Sequence, residues 1–470
     1  MRGDAGERAV SEPATLRAEV LALALPALGS GLVDTAQHWV NQLWVGRLGR
    51  DATAGLTVAT FGVWGLSASL MLLGVGLGAL VGRYVGAGRD GAARWVALQG
   101  VRWAWVIAGI VAIVGCVVAP LLFAVAGTGE GASRAGTAYL RIAYVGGAAF
   151  TTLVALDAVW RGRGNTRVPL LIALAVLGCN AVLDPLLIFG LGPVPGLGIA
   201  GAAVATVLAK GAGAWVSWRA LARRGWLSSA RPPDDEIRLA PSTPLKPGPI
   251  PGLDLSVARR FARVGLPTAA AGLLFVGVYL FLSHIVTQAG GDAAQAGLGA
   301  GIKGEQVAYV IGIGFAAAAS SLVSHRMGAG RPDVAGAAAW SAVRLASLGT
   351  GAWAALLFLA RVPLARLFLG DDDVAVGHAV DYFVIVALCL VPQCWETVLE
   401  GAFGGAGMTV PPMAVSGVLT AARLPLAWWF AIERGGGVPA IWVVIAATAA
   451  ARGICLALWF ARGTWKTRTV

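Results

Sequence analysis

Apolar runs of about 20 residues return along nearly the whole chain, and this constrains its fold more than any other feature. A run of that length spans the hydrocarbon of a bilayer as a helix. Lipid offers few alternatives, because each backbone N–H and C=O must be satisfied within the structure itself. The runs fall at roughly 18–46, 54–80, 97–125, 137–160, 169–190 and 199–220, then at 259–288, 295–320, 336–360, 377–402, 412–432 and 439–461. The sequence therefore predicts an all-α polytopic membrane protein of about twelve transmembrane helices. With 57% hydrophobic and 13% charged residues, a soluble globular chain is excluded. The net charge of +12 does not indicate nucleic acid, because the basic residues are scattered through short loops between apolar segments. The five cysteines lie in apolar runs without metal-ligand spacing and read as small packing residues. No cleaved signal peptide is expected, since the N-terminus carries charges of both signs and no short apolar core with a cleavage site.

Two halves stand out. Residues 1–16 read as a polar cytoplasmic tail, 17–222 as a six-helix lobe, 223–256 as a Pro-rich linker, 257–462 as a second six-helix lobe, and 463–470 as a cytoplasmic tail. Gly86-Ala-Gly-Arg89 recurs as Gly328-Ala-Gly-Arg331, 242 residues on. Leu25-Pro26-Ala27 matches Leu266-Pro267-Thr268 at a shift of 241, and the stretch Asp157–Thr166 matches Glu400–Thr409 at 243. Six spans per copy give both copies the same orientation, which relates them by an axis along the membrane normal and puts any substrate path between them. Arg83, Arg89, Arg94, Arg161, Arg163, Arg167, Arg326 and Arg331 crowd one set of loops, whereas Asp371-Asp372-Asp373 lies in the other. Both termini and the linker are expected in the cytoplasm.

Polar groups inside the apolar runs are the candidates for function. Asn180 and Asp184 are four apart, so on a helix they share a face. An ionised carboxylate at mid-membrane costs at least ~2.5 kcal/mol. The alternative reading makes Asp184 a helix end near the interface, because Pro185 and a Gly/Pro turn follow it. In the first run Asp34, His38 and Asn41 form one polar stripe, flanked by Gln37 and Gln42. An Asp one turn from a His is what a proton relay needs; a plain polar seam between helices is the alternative. With Asn180, Asp184 and Thr206 the stripe predicts an acidic, oxygen-rich site in the first lobe. The second lobe does not copy it: at the 243 shift Asn180 becomes Arg423 and Asp184 becomes Ala427, and its acids are Glu305, Glu396 and Glu400. Enzyme motifs do not appear; Gly299-Ala-Gly-Ile-Lys-Gly304 fits GxGxxG formally but lies in a membrane helix with no preceding strand.

The motifs Val45-Gly-Arg-Leu-Gly49, Gly86-Ala-Gly-Arg89, Trp160-Arg-Gly-Arg-Gly-Asn-Thr166, Asn180-Ala-Val-Leu-Asp184, Leu197-Gly-Ile-Ala-Gly201 and Gly404-Gly-Ala-Gly-Met-Thr409 make the chain resemble the multidrug and toxic compound extrusion (MATE) family of cation-coupled exporters. The resemblance implies a V-shaped pair of six-helix lobes that exchanges drugs for H⁺ or Na⁺ by alternating access. It also implies a cation site at Asn180, Asp184 and Thr206. Relatives usually carry an Asp five residues before the Gly of the VGxLG motif, where this chain has Asn41, and the nearest acid is Asp34. The expectation is an inner-membrane antiporter of bacterial type, acting as a monomer on small organic cations, with no cofactor beyond its coupling ion and no nucleic-acid partner. A lipid-linked saccharide flippase of the same wider superfamily is the rival, with Arg423 as its support.

Overall fold

The computed structural model describes residues 13–126, 128–190, 195–227 and 252–467. Among these residues the chain is helical and contains no strand. The helices are α1 (Pro13–Gly46), α2 (Arg50–Gly86), α3 (Asp90–Ala126), α4 (Glu130–Val145), α5 (Gly147–Gly162), α6 (Arg167–Phe189) and α7 (Ile199–Arg223). The helical run Leu255–Gly328 is two helices, α8 (255–289) and α9 (292–328). They are followed by α10 (Pro332–Leu359), α11 (Arg361–Leu369), α12 (Asp373–Ala387), α13 (Leu390–Gly405), α14 (Val410–Trp428) and α15 (Gly437–Ala461). The break between α8 and α9 sits at Gly290 and Gly291, the latter at φ 64°, which a side chain would strain. Most of the expected linker (228–251) and of the N-terminal tail (1–12), with the last three residues, lies outside the described residues.

Nine helices among the described residues are long and apolar enough to cross a membrane, or eleven when each of two bent pairs counts as one span. The run broken at Gly290–Gly291 is one of the nine, so counting its two helices raises the total to twelve. The bent pairs are α4–α5, turned by 50°, and α12–α13, turned by 62°. Their breaks, at Gly146 and at Leu388, are 242 residues apart, so the repeat read in the motifs returns in backbone geometry. Large apolar side chains such as Ile113 and Leu121 on α3 and Leu348 and Leu356 on α10 are exposed, as lipid-facing residues must be.

The chain divides into two compact units: Gly29–Gly272, and the stretch up to Leu28 together with Leu273 onward. In the first, Phe261 and Val264 from the start of α8 pack with Leu73, Leu77, Trp160 and Val176, and Arg260 donates to the Tyr84 hydroxyl at 2.8 Å. In the second, Leu16, Val20 and Ala24 from the start of α1 pack with Ala318, Leu322 and Phe403, and Arg326 pairs with Glu19. Each unit thus takes the opening half of one long helix and leaves the other half to its counterpart. Both helices change unit shortly after a proline, Pro26 and Pro267.

Candidate ion-coupling site

In the first lobe α6 runs through Pro185 to Phe189, so Asp184 lies inside a helix and not at its end. Asn180 and Asp184 are both 0% exposed. The helical i, i+4 spacing brings Asn180 Nδ2 to 3.1 Å from Asp184 Oδ1. Pro185 has no N–H, which leaves the carbonyl one turn before it without its helical donor and adds another acceptor nearby. A hairpin then returns the chain: Leu197 N donates to Leu187 O at 2.9 Å and Gly198 N to Ile188 O at 3.0 Å. Gly201 lets α7 press against α6, where any Cβ would run into the Leu187 carbonyl. This close approach sets the position of Thr206. Its hydroxyl donates to Ala202 O at 3.0 Å, and its lone pairs face Asn180 Nδ2 at 3.4 Å and Asn41 Nδ2 at 3.3 Å.

Three helices therefore converge on one hydroxyl. With both amide nitrogens spent there, Asn41 Oδ1, Asn180 Oδ1 and Asp184 Oδ2 are buried and have no donor among the described residues. Unsatisfied buried acceptors are costly, about 1–3 kcal/mol each. Two such amide oxygens and one oxygen of a single carboxylate make a site short of positive charge. It suits a proton or a small hard cation, which oxygen donors prefer.

The other predicted residues of the first lobe lie apart from this cluster. Asp34 and His38 are exposed, and neither makes a hydrogen bond to Asn41, Asn180, Asp184 or Thr206. They share the environment of Lys210, which the sequence reading passed over, and of Asp157, which it took only as the counterpart of Glu400. Lys210, one turn beyond Thr206 on α7, sets its ammonium 5.2 Å from the Phe150 ring centre. Asp157 on α5 is within electrostatic reach of Asp34 and Lys210.

The second lobe is built on ions that are already paired. Arg452 on α15 meets Glu396 on α13 at 3.0 Å, with both buried, and also donates to Thr420 at 3.1 Å. A Cβ at Gly453 would strike the Pro392 carbonyl, so glycine again permits the helix contact that brings the pair together. Ser416 Oγ lies 2.8 Å from Glu396 Oε1 and 3.0 Å from Glu400 Oε1. A hydroxyl has one hydrogen to give, so Ser416 donates to one of the two carboxyls at a time. Arg423 on α14, 1% exposed, donates to Thr448 at 2.8 Å, to the Tyr279 hydroxyl at 3.1 Å and to Ile445 O at 3.4 Å. Glu305 on α9 is buried within its electrostatic reach. Arg452 escaped the sequence reading although a lone arginine in the apolar α15 was the signal for it.

The MatE family model matches this chain twice, at residues 26–186 and 267–429. The two matches start 241 and end 243 residues apart, the same shift as the internal repeat. The chain belongs to the MATE family. It is a multi-pass membrane transporter. A probable multidrug resistance protein NorM from Thermotoga maritima is 26% identical to this MATE chain over 460 residues, 97% of this chain and 94% of that protein. An FAD transporter from Shewanella oneidensis is 26% identical over 373 residues, 77% of this chain and 74% of its own. Among solved structures, a MATE protein in a straight conformation matches the fold with a TM-score of 0.84 at 21% identity, covering 98% of this chain and 100% of that one. A MOP superfamily transporter from Pyrococcus furiosus, described as having a binding pocket of reverse polarity, matches with a TM-score of 0.85 at 20% identity over 98% and 100%.

Proposed function

We propose that this MATE transporter is a cation-coupled multidrug antiporter of a bacterial-type inner membrane, with both termini cytoplasmic, exporting amphipathic and mostly cationic organic compounds by alternating access. The names of its relatives support multidrug efflux. The observation that carries the coupling is the cluster of three donor-less oxygens, Asn41 Oδ1, Asn180 Oδ1 and Asp184 Oδ2, around Thr206. A proton on Asp184 Oδ2 turns an orphan acceptor into a donor. Na⁺ at Asn180, Asp184 and Thr206 would use the same oxygens, with water completing its shell. Either ion cancels the buried charge and draws α1, through Asn41, toward α6 and α7. Substrate and ion then compete for one conformational equilibrium, each shifting it by its differential affinity for the two states.

The flippase alternative drew on Arg423 as a basic lining residue. Its guanidinium is buried and its donors are taken by Thr448, Tyr279 and Ile445, which leaves a saccharide no free donor there. The test is accumulation of a cationic dye in cells deprived of their own efflux pumps. Cells with the wild-type chain should exclude the dye. Cells with Asp184→Asn at equal membrane abundance should fill like the empty-vector control. Full dye exclusion by Asp184→Asn would remove Asp184 from the mechanism.

A further inference from the structure

Both lobes make a polar core from their first, fifth and sixth spans: α1, α6 and α7 in one, α8, α14 and α15 in the other. The fifth spans follow Thr166 and Thr409, which are 243 residues apart. Asn180 and Arg423 occupy the same register on them, and both are buried to within 1%. Each donates to a threonine of the sixth span, Asn180 to Thr206 at 3.4 Å and Arg423 to Thr448 at 2.8 Å. The two threonines are pinned alike. Thr206 gives its hydrogen to Ala202 O at 3.0 Å and Thr448 to Val444 O at 2.7 Å, so each is left as an acceptor aimed at the fifth span. The first span supplies the third member, Asn41 in one lobe and Tyr279 in the other.

The difference is one of charge. The first lobe has a carboxylate, and three acceptors there, one of them a carboxylate oxygen, lack donors. The second has Ala427 at the register of Asp184, and its acceptors — the Thr448 hydroxyl, the Tyr279 hydroxyl and the Ile445 carbonyl — surround a guanidinium. No nitrogen of Arg423 is left without a partner there. We infer that the Arg423 guanidinium is the built-in cation of the second lobe, standing where the first lobe takes up its coupling ion. The inference rests on the proposed ion site at Asp184. It follows that the chain itself supplies the cation that ties α8 to α14 and α15, whereas a coupling ion would add to the tie that Asn41 makes from α1 to Thr206. Of the two matched positions only one exchanges a cation, and Glu305 supplies the countercharge that Asp184 supplies in the first lobe.

The test uses thermal unfolding of the full-length purified protein with Arg423→Ala, Arg423→Lys and the double variant Arg423→Asn/Ala427→Asp. Arg423→Ala should melt lower than wild type. Millimolar guanidinium should restore its Tm, and urea, a neutral molecule of the same shape, should not. Arg423→Lys should keep most of the stability. The double variant, which installs the first lobe's ligand pair, should gain a second Na⁺- or pH-dependent rise in Tm, lost on one side only when Asp184→Asn is added. Recovery by urea as well as guanidinium, no recovery of folded Arg423→Ala by guanidinium, or no added ion response in the double variant would each overturn the inference. If Arg423→Ala does not fold, the double variant decides alone. A wild-type Tm indifferent to both ions would instead refute the reading of Asp184, and the guanidinium arm would still decide the role of Arg423.

Discussion

Thr206 organises the first-lobe site because its one hydrogen is taken by Ala202 and two amides compete for what remains. Replacing it with valine keeps the shape and strips Asn41 Nδ2 of its acceptor, while Asn180 Nδ2 keeps Asp184 Oδ1. The expected loss is about 1–3 kcal/mol for the one orphaned donor. Read as half-saturation for the coupling ion, Thr206→Val should weaken binding by roughly 5- to 150-fold while leaving insertion intact. A titration of ion-dependent transport checks this. Asn180 and Asp184 were legible in the sequence because two polar groups one turn apart in an apolar run have few innocent explanations. The share of α1 was less legible. Asp34, His38 and Asn41 form a stripe by spacing, but the stripe does not show which end of it meets α7; contact with Thr206 settles that for Asn41. Arg452 and Lys210 were equally readable as charges in apolar helices, but neither has a nearby partner in sequence to draw attention to it.

Helix contacts in each lobe depend on glycines at carbonyl contacts, and these carry separate predictions. Gly201→Val should push α7 off the Leu187 carbonyl and pull Thr206 away from Asn180, costing about 1–3 kcal/mol as overpacking does. Gly211→Ala on the same helix meets only the Ala149 methyl at 3.7 Å. It should be neutral or stabilising by up to about 1 kcal/mol, from helix propensity. Paired thermal melts and transport assays of the two variants separate a close-packing role from general sensitivity of α7. In the second lobe, Glu396→Gln leaves Arg452 buried without its counter-ion and should cost about 3–5 kcal/mol. The double change Glu396→Gln/Arg452→Met should recover most of that loss. Glu400→Gln keeps an oxygen for Ser416 and breaks no ion pair, so it should be mild by comparison. Denaturation of the four proteins side by side gives the ranking. None of these approaches was visible in hydropathy, because a glycine that permits a carbonyl contact looks the same in sequence as one that fills space.

For the whole molecule, length and hydropathy were enough for the spans, and the motif shifts of 241 to 243 were enough for the duplication, which the twofold match of the MatE family repeats. The division of contacts at Leu28 and Gly272 was beyond sequence reasoning. It falls inside continuous apolar helices, where no change of composition marks it. The proposed orientation follows from the basic loops. Single cysteines at Arg89 and Arg331 should be labelled by an impermeant maleimide only in inside-out vesicles, and one at Asp371 only in right-side-out vesicles; the reverse pattern would invert the topology. The most direct measurement of ion-coupled export is uptake of a fluorescent cationic dye into inside-out proteoliposomes. An H⁺ gradient is imposed in one set and a Na⁺ gradient in another, with wild type and Asp184→Asn in parallel. Uptake driven by one of the gradients in wild type and lost in Asp184→Asn is the predicted result. Uptake that persists in the variant, or that wild type performs equally well without either gradient, would contradict coupling through Asp184.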